Sequence, residues 1–453
     1  MQRLAARTIP LCLALAACPG DPGDAATSES AGSTSSTTSA EAAAVTYHRD
    51  VKAILDAKCV GCHSPGNIGP FSLQTYAEAS MFAPTLPPAI EAGTMPPWTP
   101  DNACRTYKHD ASLTDDQKRT VLDWVELGAP EGDPADAPPP LEPPAPIDYD
   151  LELELPVAYT PTVVPDEYRC FTIPWPKDQD SYITALTVVP GEKSIVHHVI
   201  AYAVPPADIP AFQALDDADP DPGYPCYGGP GGGGSDGRTR WIGSWVPGRA
   251  GGATPEGTGL HVAPGSLVVV QMHYHPYPGA APDRSRIRIR TAAAVEREAV
   301  VLPFTDPKWP QGTEPMLIPA GEPDVVHGFE ADLGNFLPIL FPDGPFTPGQ
   351  PFVVHAAALH MHTFGSRGSL RVVGDDTCLL DIPRWDFDWQ GSYPFTETVT
   401  VNPGQKIRIE CHFDNSAENQ PLVDGVRQPP KDIGWGEGTG DEMCLGTLFL
   451  TAN

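Results

Sequence analysis

The sequence predicts a multidomain protein in which a small all-α domain precedes two antiparallel β-sandwiches of jelly-roll type. Three observations predict this fold class. The chain has 453 residues, which is too long for one domain. It contains 43 Gly and 55 Pro, a content that is high for a helical protein and typical of short strands joined by many turns. Strand-like runs separated by turns recur after residue 150, at 182–189, 194–204, 266–274, 286–291, 352–362, 406–413 and 445–451.

Residues 1–18 are expected to be an export signal. Arg3 and Arg7 precede an apolar run, residues 9–17, that is too short to span a membrane as a mature helix. The run ends in Leu-Ala-Ala-Cys18, which resembles a bacterial lipobox, and Cys18 would then carry a lipid anchor. The alternative is an ordinary secretory signal with an incidental Cys. Both interpretations predict an exported protein, and the first predicts a membrane-anchored lipoprotein facing the periplasm or cell surface.

The composition of the remaining chain limits its partners. Residues 19–45 are rich in Ser, Thr, Ala and Glu and are expected to form a flexible tether. The formal net charge is −30, with no cluster of Lys or Arg. Nucleic acid and acidic membrane surfaces are therefore not expected as partners.

Residues 46–132 carry the haem-attachment motif Cys59-Val60-Gly61-Cys62-His63. In this motif two thioether bonds hold the porphyrin, and His63 becomes a ligand of the iron. A zinc site or a redox-active cysteine pair is the alternative. The apolar residues before the motif predict one short helix. The capping box that begins at Thr114 predicts a second helix, which ends at Gly128. Two helices framing a haem resemble a small class I cytochrome c.

The sixth iron ligand is expected to be Met95. It lies in Gly-Thr-Met95-Pro-Pro-Trp, a loop stiffened by proline, as the distal Met does in such cytochromes. Met81 is the alternative, but it lies in a segment expected to be helical. Residues 133–150 are proline-rich and predict a semi-rigid linker.

A His-x-His pair, His360 and His362, ends an apolar run that is expected to be a buried strand. Residues i and i+2 of a strand share a face, so both imidazoles can approach one metal ion while Met361 points away. The chain also contains His197-His198, His273-Tyr-His275 and Met443. Imidazole together with a thioether favours copper, since soft sulfur stabilises Cu(I).

The adjacent histidines leave a geometric question open. Neighbouring residues of a regular strand face opposite ways, so His197 and His198 can share a metal only at a bulge or a strand end. His273 and His275 would share a face and form a competing site. The alternative is that His275 is solvated beside Pro276.

The order of these motifs resembles the copper type II, ascorbate-dependent monooxygenases, whose members include peptidylglycine α-hydroxylating and dopamine β-monooxygenase. The likeness covers residues 150–453 and rests on four motifs: the histidine pair, the single histidine on a Val-rich strand, His-x-His followed by Gly365, and Met443 with the adjoining Cys444. It implies two sandwiches, 151–302 and 303–453, each with one copper ion. The implied electron-transfer ligands are His197, His198 and His273, and the implied oxygen-site ligands, which are also the catalytic residues, are His360, His362 and Met443.

The resemblance also implies the disulfides Cys411–Cys444 and Cys170–Cys226. From composition alone, six cysteines remain after Cys12, Cys18, Cys59 and Cys62 are set aside. An even number suits disulfides in an oxidising compartment and leaves their pairing open. No partner is assigned to Cys104 or Cys378.

The expected function is hydroxylation of a C–H bond of a small substrate by O2. Ascorbate or a periplasmic redox partner would be the external electron donor, and the fused haem is expected to pass electrons to the His197/His198/His273 copper. Two non-enzymatic alternatives are a lipid-anchored electron-transfer or copper-holding protein and a haem-based redox sensor. Peptide amidation is not expected, because the positions that grip a peptide carboxylate in the resembling family hold Ala358, Leu445 and Thr447 here.

Overall fold

The computed structural model of the chain describes residues 44–65, 69–139, 148–164, 166–226, 229–231, 239–246, 252–277, 279–423, 425–436, 438 and 440–453. The predicted export signal with Cys18, the predicted tether before residue 44, and residues 140–147 of the predicted linker lie outside these residues. Val45–Asn453 belong to one compact unit. Among the described residues, no helix combines the length and the apolar character that a membrane span requires.

The described α-helices lie mostly before the first strand. They are α1 (Lys52–Lys58), α2 (Tyr76–Phe82), α3 (Leu86–Glu91), α4 (Asp115–Glu126), α5 (Ile209–Ala218) and α6 (Leu333–Leu340). A π-helical turn, Tyr47–Val51, leads into α1. Helix α4 starts at the predicted capping box, where the Gln117 amide donates to Thr114 Oγ1 at 3.2 Å and the Thr114 amide donates to Gln117 Oε1 at 3.0 Å.

The helices before residue 127 pack around an apolar core of their own. Tyr47, Val51, Leu55 and Val121 are buried there, as their helical spacing predicts. Trp124 is also fully buried and was not predicted. Its indole N–H donates to the Pro130 carbonyl at 3.0 Å, which satisfies its polar atom inside this core.

The four runs predicted in the first half of the β region are strands β3, β4, β9 and β10, to within two residues at each end, and six further strands there were not predicted. The ten described strands of this half are β1 (Leu151–Glu154), β2 (Glu167–Pro174), β3 (Ser181–Val189), β4 (Val196–Val204), β5 (Tyr224–Pro225), β6 (Arg240–Trp245), β7 (Gly252–Ala253), β8 (Thr258–Val262), β9 (Leu267–Tyr274) and β10 (Arg286–Ala292).

The three runs predicted in the second half are strands β13, β17 and β20, to within two residues at each end, and seven further strands there were not predicted. The ten described strands of this half are β11 (Arg297–Phe304), β12 (Val325–Ala331), β13 (Phe352–His360), β14 (Gly365–Val373), β15 (Thr377–Ile382), β16 (Tyr393–Val401), β17 (Lys406–Phe413), β18 (Leu422–Val423), β19 (Val426–Arg427) and β20 (Leu445–Ala452). Prediction of a mostly β protein is therefore confirmed.

Three larger sheets position the candidate site residues. A nine-stranded sheet has the order β1-β10-β3-β8-β11-β20-β13-β16, with β7 paired to β3. A five-stranded sheet, β5-β2-β9-β4-β6, and a four-stranded sheet, β12-β17-β14-β15, accompany it. All pairs of described strands are antiparallel except β8 with β11, which are parallel.

Two apolar cores are compatible with two β-sandwiches. The first contains residues of the five-stranded sheet and of β1, β3, β8 and β10, and the second contains residues of the four-stranded sheet and of β11, β13, β16 and β20. The predicted boundary at 302/303 falls inside β11. The nine-stranded sheet continues through this point, so both cores rest on one shared sheet.

Among the described residues, three disulfides join segments that are distant in the sequence. The implied pairs Cys170–Cys226 and Cys411–Cys444 are both present. The third pair, Cys104–Cys378, was not predicted and joins residues 274 positions apart. Since disulfides persist in oxidising compartments, all three support an extracellular or periplasmic environment.

His355 should make the fold acid-sensitive. It is buried on β13 and shares a hydrogen bond of 2.9 Å with Thr451 Oγ1 on β20. Burial, aided by the charges of Arg297 and Lys108, lowers the pKa of His355 from 6.5 to about 4. The unfolded chain therefore binds this proton first, and the free energy of unfolding should fall as the pH drops from 6.5 to 4, by up to about 3 kcal/mol.

The measurement is the urea midpoint of His355→Gln against pH, since glutamine keeps a polar partner for Thr451 but does not titrate. The variant should lose less stability than the wild type between pH 6.5 and 4. The control is His261→Gln, at a half-buried histidine beside exposed Asp180. Parallel pH profiles for wild type and His355→Gln would contradict the assignment.

Candidate metal centres

The first candidate centre is a three-histidine cluster formed by His197, His198 and His273. One ligand atom from each lies within 4.8 Å of the others. The Nδ1 atoms of His198 and His273 are 3.1 Å apart, and those of His197 and His198 are 3.4 Å apart. Three imidazole nitrogens converging in this way can hold a metal ion.

A β-bulge brings the adjacent histidines together. In the pairing of β4 with β9, the register shifts between Val196 and His198. The extra residue turns His197 and His198 toward one point, which a regular strand would not allow. His198 then lies opposite His273 on β9. The open geometric question is thus answered by a bulge.

Asp166 orients the buried member of this cluster. His273 Nε2 lies 2.9 Å from Asp166 Oδ1. Donation of the Nε2–H to the carboxylate leaves the Nδ1 lone pair of His273 facing the other two histidines. The His273 ring also stacks on Tyr168, with centroids 4.1 Å apart. Sequence reasoning missed Asp166, since it lies over a hundred residues before His273 and belongs to no motif.

These contacts do not form the competing site of His273 with His275. The side chain of His275 is 63% exposed, and its Nδ1 lies 3.1 Å from the same Asp166 Oδ1. His273 and His275 therefore share a carboxylate, while His273 turns its other nitrogen to the cluster.

The second candidate centre is the His-x-His site. His360 is the last residue of β13 and His362 lies in the following turn, with their Nε2 atoms 3.2 Å apart. The outer nitrogen of each ring has its own acceptor: Gln390 Oε1 at 2.6 Å from His360 Nδ1, and the Asp441 carbonyl at 3.0 Å from His362 Nδ1. Both inner Nε2 atoms are then free of protons and face each other. Gln390 was not identified from the sequence.

Glu442 links Met443 to this site. Its buried carboxylate accepts the backbone amides of His362 at 2.8 Å, Phe364 at 2.6 Å and Met443 at 3.2 Å. The amides of His362 and Met443 share the same oxygen, Oε2. Burial raises the pKa of Glu442 to about 7, against the opposing effect of these donors. Met443 itself is buried, as is Met361.

Burial keeps these histidines in the form that binds metals. It is the main cause that lowers the pKa of His197, His198 and His362, and it lowers that of His360 to about 4. At neutral pH the imidazoles are therefore uncharged, and protons do not compete with a metal ion.

Residues 384–390 contact the His-x-His site. The Trp385 indole N–H donates to the His362 carbonyl at 3.0 Å, and the Phe387 ring lies 6.2 Å from that of His362. The Asp388 charge is one of the smaller influences on the pKa of His197, and it acts to raise that pKa. The charge of His360 helps to lower the pKa of His198, although burial and the charges of His273 and His197 contribute more. The two centres thus lie within electrostatic reach of each other.

The haem-motif residues form a separate constellation. Cys59 and Cys62 are partly buried and not joined in a disulfide. His63 is buried, and its Nδ1 lies 3.2 Å from the Phe71 carbonyl. Met95 lies half-buried beyond α3, whereas Met81 on α2 is 73% exposed.

Ala358, Leu445 and Thr447, the positions that were compared with carboxylate-binding residues, lie next to His360. On the paired strands β13 and β20, Ala358 is opposite Thr447 and His360 is opposite Leu445. All four are half-buried at alternate positions and share one face of the sheet. This face is therefore uncharged beside the histidine.

The remaining histidines have other partners. His261 pairs with Asp180, His327 Nε2 bonds to the Leu317 carbonyl, and His412 pairs with Asp324 and Glu410. These contacts do not involve either centre.

The three-histidine cluster should bind Cu(II) without help from His275. We expect Asp166→Ala to weaken binding by about tenfold or more, because His273 loses the acceptor that fixes its tautomer. His275→Ala is the matched control and should leave the affinity nearly unchanged. Calorimetric titration of the apoprotein in a His360→Ala/His362→Ala background would isolate this cluster. Equal losses of Cu(II) affinity in Asp166→Ala and His275→Ala would contradict the orienting role of Asp166.

No protein-family model matches the chain, and no match to it was found among curated proteins.

Proposed function

We propose that the chain is an exported two-copper monooxygenase that hydroxylates a C–H bond of a small substrate and carries its own haem c. The observation that carries the proposal is the pair of histidine centres whose inner nitrogens converge, with the outer nitrogens of His273, His360 and His362 hydrogen-bonded. The reaction balances as R–H + O2 + 2 e⁻ + 2 H⁺ giving R–OH + H2O. Ascorbate or a periplasmic redox partner would supply the electrons.

The donor sets fit copper at both centres. Neutral imidazole suits copper, and a thioether at Met443 would favour Cu(I). Bound copper would supply one-electron redox chemistry and, at the His-x-His site, a place for O2. The protein groups around it do the positioning: Asp166 orients His273, Gln390 orients His360, and the Asp441 carbonyl orients His362.

The residues of the helical segment fit a c-type haem. The thiols of Cys59 and Cys62, which are not joined in a disulfide, can form the thioether bonds. With Nδ1–H of His63 donated to the Phe71 carbonyl, its Nε2 is left as the iron ligand. Met95 would be the sixth ligand. Bound haem would supply a one-electron store, and the segment would then be a small cytochrome c domain, as in the predicted class I resemblance.

An uncharged substrate group fits the sheet face beside His360. Ala358, Leu445 and Thr447 offer no cation, so a carboxylate placed there would lose its hydration without a charged partner. The proposed substrate is therefore neutral where it meets this face, and a glycine-extended peptide is not expected to be used.

The decisive experiment combines haem and copper analysis of the purified protein with measurement of substrate-dependent O2 uptake. A hydroxylated product containing one atom from isotopically labelled O2 would support a monooxygenase. Stable haem and copper binding without O2 consumption under any reductant would instead identify an electron-transfer or copper-holding protein.

Met443 should separate copper retention from oxygen chemistry. Met443→Leu keeps the side-chain volume but removes the sulfur. The two histidines should still hold Cu(II), while Cu(I) affinity and the rate of O2-driven reoxidation should fall by at least about tenfold. Met361→Leu is the matched control, since Met361 is equally buried but packs in the apolar core. Mixing each reduced variant with O2 measures the rate, and wild-type behaviour of Met443→Leu would remove Met443 from the site.

Met95 should be the distal haem ligand. Met95→Leu should abolish the near-infrared sulfur-to-iron band and allow carbon monoxide to bind the ferrous haem. The haem potential should also fall, because a thioether stabilises the ferrous state. Met81→Leu is the control at an exposed methionine. If only the Met81 variant binds carbon monoxide, the ligand assignment is wrong.

A further inference from the structure

The segment that contains Met95 is attached to the second half of the β region. The end of residues 93–108 pairs with β16: Tyr107 forms an antiparallel bridge with Phe395, and the Lys108 amide donates to the Pro394 carbonyl at 2.8 Å. The Cys104–Cys378 disulfide fastens the same segment to β15. The end of the segment is therefore an added edge of the sheet that contains His360.

Aromatic packing makes this attachment part of the core. Tyr107 is buried within the second apolar core, with its ring 5.8 Å from that of Tyr393. Trp98 lies 5.4 Å from Tyr393, and Thr99 Oγ1 shares a buried hydrogen bond of 2.9 Å with the Tyr393 hydroxyl. Tyr393 in turn pairs with Ala357, three residues before His360.

A second connection runs from the Met95 loop to His362. The Arg384 guanidinium donates to the Gly93 carbonyl at 2.5 Å. The next residue, Trp385, is buried and donates its indole N–H to the His362 carbonyl at 3.0 Å. Two consecutive residues thus join the loop of the proposed haem ligand to a ligand of the His-x-His site.

The three-histidine cluster has different neighbours. Its hydrogen bonds and ring contacts are with its own members, with Asp166 and with Tyr168. None of these partners belongs to residues 93–108. Within the part of the chain that the structure describes, the contacts that join residues 93–108 to a candidate centre lead to His362 and not to this cluster.

We propose that residues 93–108, together with Arg384 and Trp385, couple the haem-bearing segment to the His-x-His site. The haem and the copper of the His-x-His site would then exchange an electron directly. The inference rests on the proposed function. With both groups bound, the exchange would oxidise ferrous haem to ferric haem and reduce Cu(II) held by His360 and His362 to Cu(I). No proton is transferred, and the external one-electron donor restores the ferrous haem. Trp385 acts as a positioning residue through His362.

The test is anaerobic flash photolysis of the oxidised holoprotein with an external photoreductant. Haem absorbance reports reduction of the haem and its later reoxidation, and paramagnetic resonance reports which Cu(II) signal is lost. The reoxidation phase should disappear in His360→Ala, which impairs the His-x-His site, and persist in His273→Ala. Loss of the phase in His273→Ala with persistence in His360→Ala would overturn the inference.

Two variants examine the contacts themselves. Trp385→Phe keeps an aromatic ring but removes the N–H donor, and Arg384→Met removes the bond to Gly93 from an exposed position. We expect about tenfold slower exchange for the first and about threefold for the second, with unchanged haem and copper contents. Trp245→Phe is the matched control, since Trp245 on β6 lies opposite Val199, next to His198. Slowing by Trp245→Phe but not by Trp385→Phe would place the coupling at the other centre.

The haem and copper contents separate the two possible failures. Protein that lacks covalent haem or copper after loading would refute the proposed function and the inference with it. Protein that holds both groups but shows no exchange with the His-x-His site would refute only the inference.

Discussion

The second candidate centre depends on one buried carboxylate. Glu442 has no exposed surface, and it accepts amides from both the turn after β13 and the segment before β20. These two segments contribute the proposed ligands His362 and Met443. A buried carboxylate without donors would be strongly destabilising, so the backbone around it must close upon it. The carboxylate therefore sets the relative position of groups that are eighty residues apart in the chain.

The same principle operates at four of the proposed ligand histidines: a hydrogen bond on one ring nitrogen decides what the other nitrogen can do. Asp166, Gln390 and the Asp441 and Phe71 carbonyls occupy the outer nitrogens of His273, His360, His362 and His63, in that order. Each inner nitrogen is left with a lone pair in a buried setting. The chain thus prepares its proposed metal ligands through acceptors from four different segments.

The shared sheet explains how these parts form one unit. Strands of both apolar cores pair side by side in the nine-stranded sheet, and residues 106–108 extend its edge. Residues 384–390 then contact the Met95 loop, His362 and His360 in succession. A protein assembled from independent domains would need flexible docking to bring such groups together, whereas here covalent and sheet contacts hold them.

The sequence by itself determined the features that act over a few residues. Strand periodicity located β4, β13 and β17, the capping box located the start of α4, and motif spacing identified the histidine pairs and the haem-attachment cysteines. The resemblance further implied two of the disulfides. Only the tertiary structure decided the bulge at His197, the roles of Asp166 and Gln390, and the Cys104–Cys378 bond. These depend on which distant strands pair and in what register, a choice made by burial and hydrogen bonding of the whole chain rather than by any local pattern.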